Sequence, residues 1–171
     1  MKNIILIGFM GVGKGSVARE VAKNSNYMTI DTDDLIESME NKKVKDIFQD
    51  DSEEYFRALE KKVSIWLETS VKNTLISTGG GFYKQKNLKK IGLVVLLDSP
   101  FDEIIKRIKK HPNAVKKLKK RPLLSDLKAA KKLYDLRRPE YLKLSDIVID
   151  VTKKSAIDCS KELLKKVKKH A

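Results

Sequence analysis

The chain alternates between short apolar runs and longer segments in which apolar residues recur every three to four positions. The apolar runs are rich in Ile, Val and Leu and are bounded by Gly, Asn, Asp or Ser, which is typical of strands buried inside a sheet. The predicted strands cover residues 3–8, 27–33, 74–81, 92–99 and 145–151.

The segments between these strands have the spacing of amphipathic helices. The predicted helices cover residues 14–24, 33–40, 43–49, 52–71, 101–110, 125–144 and the lysine-rich stretch after 151. Ser52 and Ser125 stand at the starts of two of them, where a hydroxyl can accept a hydrogen bond from a free backbone amide. Residues 111–124 are basic, polar and interrupted by proline, so we expect a mobile surface segment there.

This regular alternation of strand and helix predicts the α/β class, with three layers and a parallel sheet of about five strands covered by helices on both faces. A chain of 171 residues without repeats, linkers or composition breaks suits a single domain covering residues 1–171. Ligands of such sheets bind at the carboxyl ends of the strands. Three segments that follow strands therefore form one candidate site: the glycine loop, "DTD" at 31–33 and "GGG" at 79–81.

The glycine loop, "GFMGVGK" at 8–14, has the spacing of a phosphate-binding loop. Because it follows a predicted strand and precedes a predicted helix, its backbone amides can converge on phosphate oxygens at the positive end of the helix dipole. Lys14 would reach the β- and γ-phosphates of a nucleotide. The next residue is Gly15, where the pattern requires a Ser or Thr hydroxyl that binds Mg²⁺.

The second segment places Asp31 and Asp33 on the same side of an extended chain. One carboxylate could reach a hydrated Mg²⁺ while the other accepts a proton from a substrate hydroxyl. The alternative for Asp33 is that it caps the following helix.

The third segment contains three consecutive glycines, Gly79, Gly80 and Gly81, which is more than a turn requires. A run without side chains lets backbone amides approach a ligand closely and permits unusual torsions. The alternative is a bend with no role beyond the fold.

The formal charge of +14 arises from 31 Lys and six Arg against 23 acidic residues. The lysines are spread over helices without interleaved aromatic residues, which favours a solvated surface over a nucleic-acid-binding face. In a chain that prefers lysine so strongly, each arginine is a candidate for bidentate binding of a carboxylate or phosphate. These positions are Arg19, Arg57, Arg107, Arg121, Arg137 and Arg138.

The chain has one cysteine, Cys159, which excludes an internal disulfide and is consistent with a reducing compartment. No secretory signal and no apolar run long enough to cross a bilayer is predicted. We therefore expect a cytoplasmic protein.

Taken together, the motifs resemble the shikimate kinase family of small P-loop kinases. The matching segments are "GFMGVGK", "DTD", "FRALE" (56–60), "STGGG" (77–81), "RPLL" (121–124) and "RRPEY" (137–141), in the family's order. The resemblance implies a P-loop NTPase-type fold with a mobile lid at about 111–124. It also implies phosphorylation of the 3-hydroxyl of shikimate with ATP and Mg²⁺, a step in aromatic amino-acid biosynthesis. We expect a monomer with shikimate as its partner and with neither nucleic-acid nor membrane partners.

On the nucleotide side, the resemblance implies that Lys14 and the loop amides hold the ATP phosphates. Arg107 would lie beside the adenine, and Arg121 would move in with the lid as a catalytic residue. Asp31 would help to hold Mg²⁺ through water. The nucleotide-binding positions in the loop are Gly11, Val12, Gly13, Lys14, Gly15 and Ser16.

On the acceptor side, the resemblance implies that Asp33 binds the reacting hydroxyl and acts as base or orienting group. Arg57 and Arg137 would clamp the shikimate carboxylate, residues 79–81 would line the same pocket, and the substrate-binding helices would lie within residues 33–60. For each arginine taken alone, an ordinary surface salt bridge is the alternative.

Gly15 departs from the family pattern, because the family has a Mg²⁺-binding Ser or Thr at this position. Ser16 does not simply replace it, since one helical step turns the side chain by about 100°. We expect a water, helped by Asp31, to fill the coordination position, because Mg²⁺ retains waters readily. Metal affinity and turnover should then be lower than with a serine.

The basic segment between Arg107 and Arg121 is longer than the family pattern, and we interpret the extra residues as a tolerated insertion. Three other functions stay open at this point. They are another small-molecule P-loop kinase such as gluconate kinase, a nucleotide-binding homologue impaired at Gly15, and a basic nucleic-acid-binding module supported by the charge alone.

Overall fold

The structure is a computed structural model that describes residues 2–113 and 124–170. Its five strands form one sheet in the order β2-β3-β1-β4-β5, and every neighbouring pair is parallel. The strands are β1 (Ile4–Ile7), β2 (Met28–Asp31), β3 (Thr74–Ser77), β4 (Leu93–Asp98) and β5 (Ile147–Asp150). The predicted α/β class with a parallel five-stranded sheet surrounded by helices is confirmed.

The helices follow the strands in alternation, with two shorter elements between β3 and β4. They are α1 (Lys14–Lys23), α2 (Thr32–Glu40), α3 (Val44–Asp50), α4 (Glu53–Ser70), α5 (Leu88–Ile91), α6 (Phe101–Lys110), α7 (Leu127–Leu144) and α8 (Ala156–Lys169), with a 3₁₀ turn at Phe82–Lys84. The 3₁₀ turn and α5 were not predicted, because three or four residues are too few to reveal a helical period.

The core lies around the three central strands, whose side chains are buried on both faces as their continuous apolar runs predict. Ile5 of β1 pairs with Ile76 of β3 on one side and Val94 of β4 on the other, and all three side chains are 0% exposed. Around the sheet, α1 packs against α8 and α4 packs against α3 and α5. The apolar interior therefore fixes the strand ends that carry the candidate site.

The junction between β2 and α2 differs from the prediction. The strand ends at Asp31, and this residue caps α2 by accepting hydrogen bonds from the amides of Asp33 and Asp34 at 3.0 and 3.4 Å. Asp33 consequently lies in the first helical turn, so the extended arrangement of the two carboxylates is wrong. The alternative in which Asp33 is itself the cap is also wrong, because Asp31 occupies that position.

The two serine caps were predicted with different success. Ser52 caps α4 by accepting a hydrogen bond from the amide of Tyr55, which confirms the prediction. At α7 the cap is Asp126 rather than Ser125, because the Asp126 carboxylate accepts hydrogen bonds from the amides of Lys128 and Ala129. A neighbouring carboxylate is an equally good N-cap, so the spacing alone could not choose between them.

Within the two described ranges, no helix is both long and apolar enough to cross a bilayer. Residues 114–123, which include most of the predicted lid, lie outside the described part of the chain. The proposed lid bounds at 111–124 therefore stay a prediction.

Candidate active site

The carboxyl ends of β1, β2 and β3 meet at one cavity of about 430 Å³. Its wall contains residues 10–17, which span the loop after β1 and the start of α1, with Asp31 and Asp33 at the β2–α2 junction and residues 77–80 at the end of β3. Gly81, Arg57 and Arg137 are not part of this wall. Arg107 of α6 closes the side toward β5. The structure thus brings together the three strand-following segments that the sequence singles out.

The glycine loop has the backbone geometry that only glycine adopts readily. Gly8, Gly11 and Gly13 have φ angles of 144°, 82° and 108°, and α1 begins at Lys14. The Lys14 Nζ is buried and donates hydrogen bonds to the carbonyl oxygens of Gly8 at 2.7 Å and Phe9 at 3.2 Å. The first turn of α1 has no acidic residue and no side-chain cap. Its amides and dipole therefore favour an anion at this end of the helix.

Asp31 is held from two sides at the cavity wall. Its Oδ1 caps α2, and its Oδ2 accepts a hydrogen bond from the Ser77 hydroxyl at 2.7 Å. These bonds tie the end of β2 to the end of β3 and fix the direction of the carboxylate.

Asp33 has a half-buried side chain with one buried carboxylate oxygen, Oδ1. Its Oδ1 has no hydrogen-bond partner among residues 2–113 and 124–170. Burial raises the pKa of Asp33 to about 7, and the negative charges of Asp31 and Glu60 act in the same direction, while Lys14 opposes them. A carboxylate with a free oxygen and a pKa near neutrality is suited to accepting a proton at physiological pH.

Each glycine of the run 79–81 makes room for one side chain of the site. A Cβ on the first glycine would lie 2.5 Å from Asp33 Oδ1, and one on the second would lie 3.0 Å from Arg137 Nη1. A Cβ on the third would collide with the Arg57 guanidinium. None of the three glycines has a positive φ, so the run is explained by space for site side chains and not by the unusual torsions expected.

Arg57 is fixed by ion pairs and aromatic rings on the outer side of the glycine run. Its Nη1 donates to Glu60 Oε2 at 2.7 Å and its Nη2 to Glu53 Oε1 at 3.0 Å. The guanidinium carbon also lies 5.9 and 5.5 Å from the ring centres of Phe48 and Phe56. This packing holds the guanidinium beside the third glycine.

Glu60 is a site residue that the sequence analysis missed. Its side chain is 1% exposed, and its Oε1 has no partner in the described part of the chain. Burial raises the pKa of Glu60, opposed by Arg57 and Arg137. The signal was available in "FRALE", because residues three apart on a helix face the same way, so Glu60 is a natural partner for Arg57.

Arg137 is buried on α7 next to Tyr141. The Tyr141 hydroxyl donates a hydrogen bond to the carbonyl oxygen of Gly80 at 2.6 Å, and burial raises the pKa of Tyr141 to about 12. The tyrosine therefore ties α7 to the glycine run and keeps Arg137 over it. Tyr141 was also missed, although it belongs to the quoted "RRPEY" segment.

On the opposite side of the cavity, Arg107 links two loops through their backbones. Its Nη1 donates to the carbonyl oxygen of Val12 at 2.9 Å, and its Nη2 donates to the carbonyl oxygen of Val151 after β5. His111 and Lys154 line the same side. Arg121, the predicted lid arginine, lies outside the described residues.

The remaining two arginines have different surroundings. Arg138 pairs with both carboxylate oxygens of Asp98, with nitrogen–oxygen distances from 2.8 to 3.2 Å. For Arg138 the ordinary salt bridge is therefore the correct interpretation. Arg19 lines the cavity beside the glycine loop.

The oxygen donors near Lys14 fit a hydrated Mg²⁺. Asp31, Asp33 and Ser16 all line the cavity, and hard oxygen ligands are the ones that Mg²⁺ prefers. Among the described residues, no group of three His, Cys, Asp or Glu side chains could enclose a metal by itself. A cation here would keep most of its waters and bind partly to nucleotide phosphates, as Mg²⁺ commonly does.

Comparisons with known proteins point to one family. Residues 10–168 match the family model described as shikimate kinase. The chain is 41% identical over 163 residues to a shikimate kinase from Clostridium botulinum, with 92% of each chain covered. It is 39% identical over 150 residues to a shikimate kinase from Helicobacter hepaticus, covering 88% of this chain and 87% of the relative.

Among solved structures, shikimate kinase from Acinetobacter baumannii in complex with shikimate is similar, with a TM-score of 0.87 and 29% identity over 99% of this chain and 94% of that one. A gluconokinase from Sinorhizobium meliloti covers 99% of this chain and 93% of its own at a TM-score of 0.64 and 13% identity, which is a likeness of fold alone. The family match and the identities above 30% over most of both chains lead to one conclusion: the chain belongs to the shikimate kinase family.

Proposed function

We propose that the protein transfers the γ-phosphoryl group of ATP to the 3-hydroxyl of shikimate, giving shikimate 3-phosphate and ADP. Kinases of its family use ATP, and the similar structure from Acinetobacter baumannii is a complex with shikimate. The observation that carries the proposal is Asp33, which lines the same cavity as Lys14. Its Oδ1 has no hydrogen-bond partner within the described ranges and adjoins the glycine run, where Arg57 and Arg137 also lie.

The acceptor would be held by its carboxylate. Arg57 and Arg137 lie over the third and second glycines of the run 79–81, and Asp33 lies over the first. Planar guanidinium groups match the geometry of a carboxylate, so an acid bound by them would present a ring hydroxyl to Asp33. Shikimate carries both groups on a small, stiff ring, whereas gluconate is a flexible chain that loses more conformational entropy on binding.

Glu60 supports this acceptor site from below. Its Oε2 pairs with Arg57, while its Oε1 has no hydrogen-bond partner in the described part of the chain. The positive charge of Arg137 also acts on Glu60 and lowers its pKa. The buried carboxylate balances part of the positive charge of the two arginines before an acid arrives, so the pocket does not hold two uncompensated cations.

The nucleotide would bind with its phosphates at the glycine loop. Lys14 would exchange its bonds to the carbonyls of Gly8 and Phe9 for the β- and γ-phosphate oxygens. Arg107 would lie beside the adenine, and Arg121 would approach the transferring phosphate as the lid closes and excludes water. A bound Mg²⁺ would neutralise charge on the phosphates, with Asp31 holding it through water.

Asp33 would orient the 3-hydroxyl and accept its proton. Phosphoryl transfer depends mainly on positioning and charge neutralisation, and Asp33 supplies the first while Lys14 supplies part of the second. Because Lys14 opposes the rise in the pKa of Asp33, the loop lysine also favours the ionised carboxylate that is needed to take a proton.

The test is ADP production with shikimate, with gluconate and with neither, each across a Mg²⁺ titration. We expect ADP release that saturates with shikimate, requires Mg²⁺ and is at background with gluconate. Saturation with gluconate would favour the other small-molecule kinase. ATP binding without acceptor-dependent ADP release would favour a nucleotide-binding homologue impaired at Gly15.

A further inference from the structure

Arg19 is the cavity arginine to which no role has been assigned. It lies on α1, lines the cavity and is exposed, and its one hydrogen bond within residues 2–113 and 124–170 is a long one of 3.4 Å from Nη2 to Ser16 Oγ. No ion pair with an acidic residue is recorded for it in those ranges, in contrast to Arg57 and Arg138. Its guanidinium therefore keeps most of its donors available.

The position of the guanidinium depends on Gly15. Residues 15 and 19 are one helical turn apart, and long side chains on a helix point back toward its N-terminus. A Cβ built on Gly15 would lie 3.6 Å from Arg19 Nη1, so the arginine covers the bare surface that the glycine leaves. This surface is the first turn of α1, where the family pattern places the hydroxyl that binds Mg²⁺.

The local charge favours an anion at this point. Lys14 and Arg19 bring two positive groups to the start of α1, whose first turn contains no acidic residue, and the acidic side chains of the cavity wall, Asp31 and Asp33, belong to the β2–α2 junction. The choice of arginine is informative in a chain with 31 Lys and only six Arg, because a guanidinium can donate two parallel hydrogen bonds to a phosphate and an ammonium cannot.

We propose that Arg19 is a further phosphate-binding residue. Its guanidinium donates hydrogen bonds to phosphate oxygens of a nucleoside triphosphate at the first turn of α1, beside Gly15. The inference rests on the proposed function, since it assumes that the glycine loop holds ATP. Arg19 then supplies positive charge where the side-chain ligand of Mg²⁺ is missing. Nucleotide binding should accordingly depend less on the metal than it would with a serine at position 15.

The experiment measures the dissociation constant of ATP by calorimetry, once in excess Mg²⁺ and once in EDTA. The variants are Arg19→Ala and Arg19→Gln, and the matched control is Lys23→Ala, which removes one positive charge from an exposed side chain of the same helix that is paired with Glu20. Thermal melting confirms that each variant is folded. Arg19→Gln keeps the first part of the side chain and a polar end without the charge, whereas Arg19→Ala removes both, so comparing the two separates loss of charge from loss of packing.

We expect both Arg19 variants to weaken ATP binding in EDTA by about tenfold or more, the effect of losing charge-assisted hydrogen bonds, and to weaken it less in excess Mg²⁺. Lys23→Ala should change the constant by less than about twofold, as an exposed ion pair would. Arg19 variants that bind ATP as tightly as Lys23→Ala in both conditions overturn the inference.

A double-variant cycle links the effect to Gly15. In a Gly15→Ser background, Arg19→Ala should weaken metal-free ATP binding by less than it does beside glycine, because the serine covers part of the same surface. Equal effects in both backgrounds would overturn the link. The proposed function is tested separately, by shikimate-dependent ADP release from the unmodified protein. If that release occurs but the Arg19 variants bind ATP normally, only the inference about Arg19 is refuted. If the release is absent, the proposed function is refuted.

Discussion

On the acceptor side of the site, three side chains pack against the glycine run 79–81, whereas on the nucleotide side Lys14 and Arg107 are bonded to the protein's own backbone. Asp33, Arg57 and Arg137 each lie over one glycine of the run 79–81, and Glu60 neutralises part of the arginine charge. These three side chains therefore lie against one short stretch of backbone.

In the nucleotide half, Lys14 binds the carbonyls of Gly8 and Phe9, and Arg107 binds those of Val12 and Val151. These bonds must be exchanged when phosphates and a base arrive. This difference indicates that acceptor binding depends mainly on the space around the glycine run, whereas nucleotide binding depends mainly on the charged donors. Substitutions that add atoms should therefore damage the first half, and substitutions that add or remove donors should act on the second.

The largest effect should come from Asp33→Asn, which removes the proton acceptor and keeps the size of the side chain. We expect kcat to fall by on the order of 10²–10⁴, the usual contribution of a general base, with a small change in the KM for shikimate. The control is Asp34→Asn on the exposed side of the same helical turn. Similar kcat values for the two variants would contradict the assignment.

The same residue sets the pH dependence. Its pKa is raised to about 7, so kcat/KM should decline as the pH falls through 7 and Asp33 becomes protonated. The free energy of unfolding has the opposite pH dependence. Because the folded protein favours the protonated Asp33 carboxyl, it loses stability as the pH rises from about 4 to about 7. Asp33→Asn should therefore raise the melting temperature at pH 8 and change it little at pH 4, measured by calorimetric scans.

The next effect concerns the carboxylate clamp. Arg137→Lys should raise the KM for shikimate by roughly 10- to 100-fold, since a buried charge-assisted bond is worth about 1.5–3 kcal/mol, and should leave the KM for ATP nearly unchanged. Arg138→Lys is a matched control on the adjacent residue, because Arg138 pairs with Asp98 whereas Arg137 lies beside Gly80. If the two variants alter the KM for shikimate equally, Arg137 does not bind the shikimate carboxylate as proposed.

Adding one methyl group to each half tests the role of space. Gly81→Ala should displace the Arg57 guanidinium and raise the KM for shikimate by about tenfold, in line with a packing cost of about 1–3 kcal/mol. Gly15→Ala should have little effect on that KM, because its Cβ meets only ordinary contact at 3.6 Å. Steady-state kinetics with both substrates measures the KM values of the two variants. An unchanged KM for shikimate in Gly81→Ala would show that space beside Gly81 does not limit acceptor binding.

The smallest effect should be a gain. Gly15→Ser adds a hydroxyl where the family pattern has a Mg²⁺ ligand, so the Mg²⁺ concentration for half-maximal rate should fall by a few-fold. Gly15→Ala is the control, since it adds the methyl group without the oxygen. A half-maximal concentration that does not move, or that moves equally in both variants, would mean that the missing hydroxyl is unimportant here.

The sequence predicted the fold well because its strongest signals are local. The runs at 3–8 and 92–99 each contain an unbroken apolar stretch, IILI and LVVLL, and these stretches form most of the central strands β1 and β4. The boundary at Asp31 was misplaced by two residues, because a carboxylate at the end of a strand also serves as a helix cap and periodicity does not register that.

The contents of the site were only partly predictable. Asp33 and Arg57 were named from motifs, yet the reason for three glycines is a set of contacts between α2, α4, α7 and the loop after β3, which no local pattern contains. The partner of Arg138 is Asp98, forty positions away, and only the packing of α7 on β4 brings them together. Long-range pairing of this kind had to come from the structure.

The account depends most directly on the shikimate carboxylate meeting Arg57 and Arg137 while its hydroxyl meets Asp33. The decisive measurement is a double cycle of kcat/KM for shikimate and its methyl ester on the unmodified enzyme and on Arg57→Ala. On the unmodified enzyme, kcat/KM for the methyl ester should be lower than that for shikimate by about 30-fold or more, the cost of removing one partner of a charge pair. On Arg57→Ala the difference should be only a few-fold, because the arginine of that pair is already absent. Losses that simply multiply would show that the carboxylate binds elsewhere and would contradict the account.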